Sequence, residues 1–280
     1  MIACYDLSRC PPTYDAVAFL ALAEGERRRR GEDYIHVRIL PGPADGFRAD
    51  SLWPHTLEAR ALVRDRVLVP LCRLLPSVRS VEVSPTRRHV GEWGHGEYYV
   101  GLPRILEALR AGLRPLRAVV ARSHASGLIT FTLREAEHWP LRNSRTAEWA
   151  AAARELSARG WNVIVLRDAA RAAEVLEGCR TSSLHATDLS SRANLYARAA
   201  LNVGVCNGPM WMSIFMGAPT LMMRPTTNAA GGCYDESFYS RHGLSRGAQL
   251  PSSPPHQRLC WEDDTYDNIM RAVREFLGNV

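Results

Sequence analysis

Three stretches of this 280-residue sequence carry side chains suited to holding an anion. The first is Cys206-Asn207-Gly208-Pro209-Met210, between a strand-like apolar run and a short helix-like one. Glycine lets a backbone come close to a ligand. Proline suits the first helical position, where a missing N–H costs nothing. A helix starting here turns free N–H groups and the positive end of its dipole toward a phosphate. The same residues also make an ordinary strand-to-helix turn. The second stretch follows Leu133 and holds Arg134, Glu135, His138, Arg142 and Asn143. Two arginines at a strand's carboxyl end suit a diphosphate, because each guanidinium offers paired donors to paired oxygens. The plainer alternative is a solvated loop with a capping residue before the next helix. The third runs from Asp188 to Tyr196, where Arg192 and Asn194 either reach a base or phosphate or face solvent.

The charge balance narrows the chemistry. The formal net charge is +6, and all 35 basic residues are arginine. Without lysine there is no Schiff base, no pyridoxal-phosphate anchor, no Walker-type lysine and no Ser-Lys dyad. An anion must be held by arginine, backbone N–H groups or a helix N-terminus. Seven cysteines, none in a C-x-x-C pair, give neither a disulfide framework nor a zinc site. Free thiols and a cytoplasmic location are expected. The first ten residues carry Asp6 and Arg9 and do not read as a signal peptide. The run Arg27-Arg28-Arg29-Arg30 can touch a membrane surface peripherally, or simply end a solvated helix. No basic stripe interleaved with aromatics points to nucleic acid.

The elements that must position these residues alternate. Ile2–Leu7 and Tyr34–Leu40 read as strands around a helix from Asp15 to Arg30, with Asp15 or Thr13 as its cap. Residues 52–75 read as helix, broken near Pro70, and 80–84 as a third strand. Strands follow at 128–133, 162–166, 201–205 and 220–223. Helices are expected at 103–111, 146–158, 169–177, 189–200, 209–216 and 265–277. Such alternation makes a doubly wound α/β sheet, with ligands at the carboxyl ends of its strands.

At this point a resemblance enters. The run Leu201-Asn202-Val203-Gly204-Val205-Cys206-Asn207-Gly208-Pro209-Met210, with Gly217-Ala218-Pro219-Thr220-Leu221 after it, resembles the C-terminal domain of B-architecture glycosyltransferases, heptosyltransferases above all. Gly160-Trp161-Asn162-Val163-Ile164-Val165-Leu166 fits the same pattern, and the likeness covers roughly residues 128–225. The family's lysine after the first C-terminal strand is absent, and Arg134 stands in its place; the Asp/Ser pair of the loop is reduced to Cys206-Asn207.

The resemblance implies two facing Rossmann-like domains, a small one at 1–115 and a nucleotide-sugar-binding one at 116–265, with the helix 266–280 crossing back. It implies a metal-independent glycosyltransferase without cofactor. A sugar would move from a nucleotide diphosphate donor to a cell-surface glycan or glycolipid acceptor. Arg134, Arg142, Asn143, Arg192, Asn207, Gly208, Pro209 and Met210 would bind the donor. A carboxylate of the N-terminal domain would act as base: Asp15 first, then Asp6 or Asp45. A nucleotide-sugar epimerase and a non-catalytic nucleotide-sugar-binding protein are the rival readings. The acidic pair Asp263-Asp264 is expected to cap the closing helix rather than hold a metal.

Overall fold

A computed structural model describes residues 1–49, 56–87, 92–118, 127–224 and 235–278. The chain divides into two compact units, Met1–Arg117 and Ala118–Val280.

The first unit runs β1 (Ile2–Asp6), α1 (Ala16–Arg30), β2 (Ile35–Leu40), α2 (Leu57–Val63), α3 (Val69–Arg73), β3 (Val78–Val83) and α4 (Leu102–Arg110). Its strands are parallel, in the order β1-β2-β3. Between α2 and α3 the helix widens into a π-turn at Arg64–Leu68. Pro70 is the cause, since it lacks an N–H and its ring crowds the carbonyl four residues back. On the far edge of β1 a single bridge joins Ala3 to Trp93, and the Cys4 N–H donates to the Trp93 carbonyl at 2.8 Å. Phe19 of α1 packs under this rim, 5.1 Å from the Tyr5 ring, 5.5 Å from Trp93 and 5.3 Å from Tyr99. The arginine run ends α1 as a solvated, paired terminus: Arg27 and Arg28 bind Glu24, and Arg29 and Arg30 bind Glu26.

The second unit runs β4 (Leu128–Thr132), α5 (Thr146–Ala158), β5 (Asn162–Leu166), α6 (Ser183–Thr187), α7 (Leu189–Arg198), β6 (Leu201–Val205), α8 (Gly208–Phe215), β7 (Thr220–Met223), α9 (Glu236–Arg241), β8 (Gln257–Cys260) and α10 (Tyr266–Leu277). All five strands are parallel, in the order β5-β4-β6-β7-β8. From β4 the chain steps outward one way to β5, then returns to the other side of β4 with β6. That reversal is the topological switch point of the sheet. Buried polar groups pin it. Thr130 donates to Asn202 Oδ1 at 2.7 Å, and Asn202 Nδ2 donates to the Tyr196 and Pro219 carbonyls, each at 3.0 Å. Every one of these groups is satisfied, so they fix the pairing of β4 and β6 at little cost.

Two expectations change. The helix expected at 169–177 is only a 3-10 turn at Ala169–Arg171. The chain must return at once to the free edge of β5, where the Val165 N–H donates to the Arg180 carbonyl at 2.8 Å. The closing helix does not leave its own unit. Ile269, Met270 and Val273 of α10 are buried in the core formed by Phe131, Trp149 and Val203. The apolar face of α10 has its partner there, which is why it stays.

Candidate functional site

The carboxyl ends of β4 and β6 carry the loops that the sequence singled out. After β4, residues 134–144 form a closed loop. Its neck is double: Arg134 N–H donates to Ser144 Oγ, and Ser144 N–H donates to the Arg134 carbonyl, both at 2.9 Å. Arg134 then folds its guanidinium inward. Nη1 donates to the Trp139 carbonyl at 3.0 Å and to Asn143 Oδ1, and Nη2 donates to the His138 carbonyl at 2.6 Å. Trp139 sits at φ 55°, a left-handed conformation that costs an L residue roughly 1–2 kcal/mol. Arg134 offsets that strain from inside. Asn143 is used the same way, accepting from the Ala136 N–H at 3.1 Å and donating to the Ala136 carbonyl at 2.8 Å. Arg134 and Asn143 therefore brace the loop from within, where the sequence reading gave Arg134 and Arg142 to a diphosphate clamp.

Arg142 lies differently. It is half-buried, and its Nη2 reaches across the switch point to the Cys206 carbonyl at the end of β6, at 3.2 Å. This brings one guanidinium to the start of α8. There Asn207 is the helix cap, its Oδ1 accepting from the Met210 N–H at 3.0 Å. Pro209 has no N–H, and the Trp211 N–H already bonds the Asn207 carbonyl at 3.2 Å. The helix start therefore turns fewer N–H groups outward than the sequence implied, with that of Gly208 foremost. The Met210 side chain is fully buried against β6, where a Cβ at Gly204 would lie 2.9 Å from its sulfur. Gly204 is thus the glycine that lets α8 pack closely, and Met210 is core. Burial pushes the Cys206 thiol up, which favours its neutral form.

Arg192 is buried on α7. Its Nε and Nη2 donate to the His185 and Ala186 carbonyls at 2.7 and 2.8 Å, closing the end of α6. The acidic pair also departs from expectation. Thr265 caps α10, its Oγ1 accepting from the Asn268 N–H at 3.4 Å. Asp264, with no exposed surface, accepts from the Arg145 N–H at 2.9 Å and the Trp149 indole at 2.7 Å. Asp263 pairs with Arg145 at 2.8 Å. Arg224, at the end of β7, faces Asp264 at 3.4 Å and donates to the Asn143 carbonyl at 2.5 Å. The sequence reading passed over Arg224, although its place at a strand's carboxyl end was the signal that would have found it. It also passed over the buried pair Glu135–Arg167, which joins the ends of β4 and β5 at 2.5 Å.

In the first unit, Asp6 is saturated. Arg87 binds both its oxygens at 2.9 and 3.0 Å, and Ser8 donates from N and Oγ at 2.9 and 2.7 Å. Burial alone would raise its pKa, but the bonds from Arg87 and Ser8 outweigh that and hold the carboxyl below its ordinary value. Asp45, at φ 46°, and Gly46, at φ 92°, form the exposed tip of a two-residue turn between Ala44 and Phe47. Asp15 differs from both. It precedes α1 with helical dihedrals and makes no capping bond of its own, while Thr13 Oγ1 accepts from the Asp15 N–H at 3.4 Å. Its half-buried carboxylate accepts from Thr13 Oγ1 at 2.6 Å, and among the described residues no arginine pairs with it.

Solved structures share the fold. The iron-containing dodecameric glycosyltransferase TibC from enterotoxigenic E. coli aligns with a TM-score of 0.56 at 13% identity, over 99% of this chain and 76% of that one. The ADP-heptose lps heptosyltransferase II of E. coli aligns at 0.50 and 13%, over 99% and 98%. The two Rossmann-like units are those of the glycosyltransferase-B architecture. At this identity the likeness is one of fold. No family model and no curated protein matches the chain. Among the described residues, no group of three His, Cys, Asp or Glu side chains is placed to hold a metal ion, and no helix is long and apolar enough to cross a membrane.

Proposed function

We propose that the protein is a metal-independent glycosyltransferase that binds the diphosphate of a nucleotide sugar at the β4–β6 switch point. The observation that carries this reading is Arg142, set across the switch beside the start of α8. A guanidinium and a helix N-terminus together stabilise the negative charge that grows on a departing diphosphate. Asp15 remains the candidate base within the first unit. In the transfer, the acceptor hydroxyl gives its proton to a carboxylate base and its oxygen bonds the anomeric carbon. The bond from that carbon to the diphosphate breaks, and its electron pair leaves on the nucleoside diphosphate. What supports Asp15 is its lack of any arginine partner among the described residues, in contrast to Asp6. A glycan or glycolipid acceptor, reached from the cytoplasm, fits the resemblance to heptosyltransferases.

Thermal-shift titration with nucleoside diphosphates and nucleotide sugars tests the reading. A ligand at 100 times its Kd adds about 2.7 kcal/mol of stability. A flat response to every nucleotide would overturn the proposal. Turnover of a nucleotide sugar to an isomer, with no acceptor present, would replace it by epimerisation.

A further inference from the structure

The site above depends on one side chain, Arg142, being delivered across the switch point by a loop. Loops are ordinarily the mobile parts of a fold. Something must therefore fix the strand of the loop that carries Arg142 where it returns to the Arg134–Ser144 neck. The residue after Arg142 is Asn143, and its carbonyl accepts from Arg224 Nη2 at 2.5 Å. Arg224 is itself anchored. Its N–H donates to the Cys260 carbonyl at 2.8 Å, its side chain is nine-tenths buried, and its Nε faces the Asp264 carboxylate at 3.4 Å. Asp264 in turn holds the first turn of α5 through the Arg145 N–H and the Trp149 indole. Arg145 closes the circle, being three residues beyond Arg142.

We infer that Arg224, seated on buried Asp264, is a positioning residue that sets the Arg134–Ser144 loop so that Arg142 reaches the anion site. This rests on the reading of that site as a diphosphate site. Neither Arg224 nor Asp264 is assigned a contact with the ligand. A buried, geometrically demanding ion pair costs desolvation and contributes little net stability. Its return here is placement: the Asn143 carbonyl is fixed within one hydrogen bond, and Arg142 follows.

The test is a double-mutant cycle read with inorganic pyrophosphate, which has no base or sugar to confuse the phosphate site. Full-length wild type, Arg142→Gln, Arg224→Gln and the double variant are titrated by calorimetry. Arg224→Lys keeps a charge opposite Asp264 and replaces Arg224→Gln if the latter does not fold. Arg142→Gln should weaken binding roughly tenfold or more, the loss of a charge-assisted hydrogen bond. Arg224→Gln should weaken it several-fold alone and add nothing in the Arg142→Gln background. Wild-type affinity in Arg224→Gln, or a full additive loss in the double variant, overturns the inference. A crystal structure of the Arg224 variant separates this failure from failure of the site reading. If wild type ignores pyrophosphate, the diphosphate reading falls. Positioning then stands only if Arg142 has left the Cys206 carbonyl in the variant, and falls if it has not.

Discussion

The two units reverse their sheets by unequal means. In the second, the reversal lies between β4 and β6, two full strands in parallel register from Ile129 and Leu201 onward. In the first, among the described residues, β1 meets only the Ala3–Trp93 bridge on the side away from β2. Full strands carry their two loops in register, and side chains of the loops themselves finish the work: Arg134 and Asn143 brace one, and Asn207 caps the helix that follows the other. A bridge cannot do that, so side chains take over the rim. Cys4 donates to Glu92 at 2.9 Å, Arg38 pairs with Glu92 at 2.7 Å, and Arg87 pairs with Asp6 at 2.9 Å. The difference fits a second unit that presents Arg142 at its switch point and a first unit that engages Asp6 with Arg87.

The sharpest way to break this comparison is to remove the buried hub of the second unit. Asp264→Ala strands Arg224 and leaves the Arg145 N–H and the Trp149 indole without their acceptor. Losing one partner of a buried pair costs about 3–5 kcal/mol. The denaturant midpoint should fall, and hydrogen exchange should rise in α5 and α10 while α1 keeps its protection. A loss below about 1 kcal/mol would mean that the backbone of the full strands suffices without the hub.

A second contrast lies within one loop. Arg142→Ala should lower nucleoside-diphosphate affinity by about 1.5–3 kcal/mol with little change in melting temperature. Arg134→Ala should do the reverse first, because its guanidinium braces Trp139, His138 and Asn143. It weakens binding only by loosening the loop. Calorimetric titration beside thermal melting separates the two. Equal loss of affinity at unchanged stability in both would restore the two-arginine clamp.

That contrast marks where the sequence was legible. The strands at 162–166, 201–205 and 220–223 form at the expected places, since uninterrupted apolar runs between turn residues leave a parallel sheet little choice. The switch-point loops were legible too, because ligand sites follow strand ends. Side-chain direction was not. Arg134 and Arg142 have the same chemistry and stand on the same loop, and only the closed Arg134–Ser144 neck turns one inward. Nor did the sequence show that Arg192 covers carbonyls of α6, a helix of five residues. β8 is four residues long and follows a proline-rich stretch, which hides it from any periodicity.

The rim of the first unit makes a prediction in acid. Glu24 binds Arg27, Arg28 and Ser77, tying α1 to the approach to β3. Burial raises its pKa, but the bonds from Arg27, Ser77 and Arg28 prevail and bring it down to about 2. A carboxylate depressed in the folded state stabilises above its unfolded pKa, and that contribution is lost as pH falls toward the folded value. The first unit should therefore loosen between about pH 4.5 and 2. Glu24→Gln should be less stable at pH 7 and flatter through that window. Circular dichroism melts across pH decide it, and a wild-type curve no steeper than that of Glu24→Gln would refute the assignment.

The smallest expected effect is the response to chelation, where a null result carries the weight. Glycosyl transfer from a nucleotide diphosphate needs positive charge at the leaving group, from a divalent ion held by an Asp-x-Asp pair or from arginine and helix dipoles. In this chain the acidic pair before α10 is already engaged. Asp264 is buried under Arg145, Trp149 and Arg224, and Asp263 is paired with Arg145. Rotating Asp264 out to meet an ion would expose those donors to an empty core, at a cost of several kcal/mol. Arg142 already stands at the switch point. Excess EDTA should therefore leave nucleotide affinity and any transfer rate within about twofold, since Arg142 and the α8 start supply the charge without an ion. Loss of activity in EDTA with recovery in Mg²⁺ or Mn²⁺ would show that a cation neutralises the leaving diphosphate. Arg142 would then be a loop-bridging residue, and the second unit's switch point would be as fully consumed by its own structure as the first.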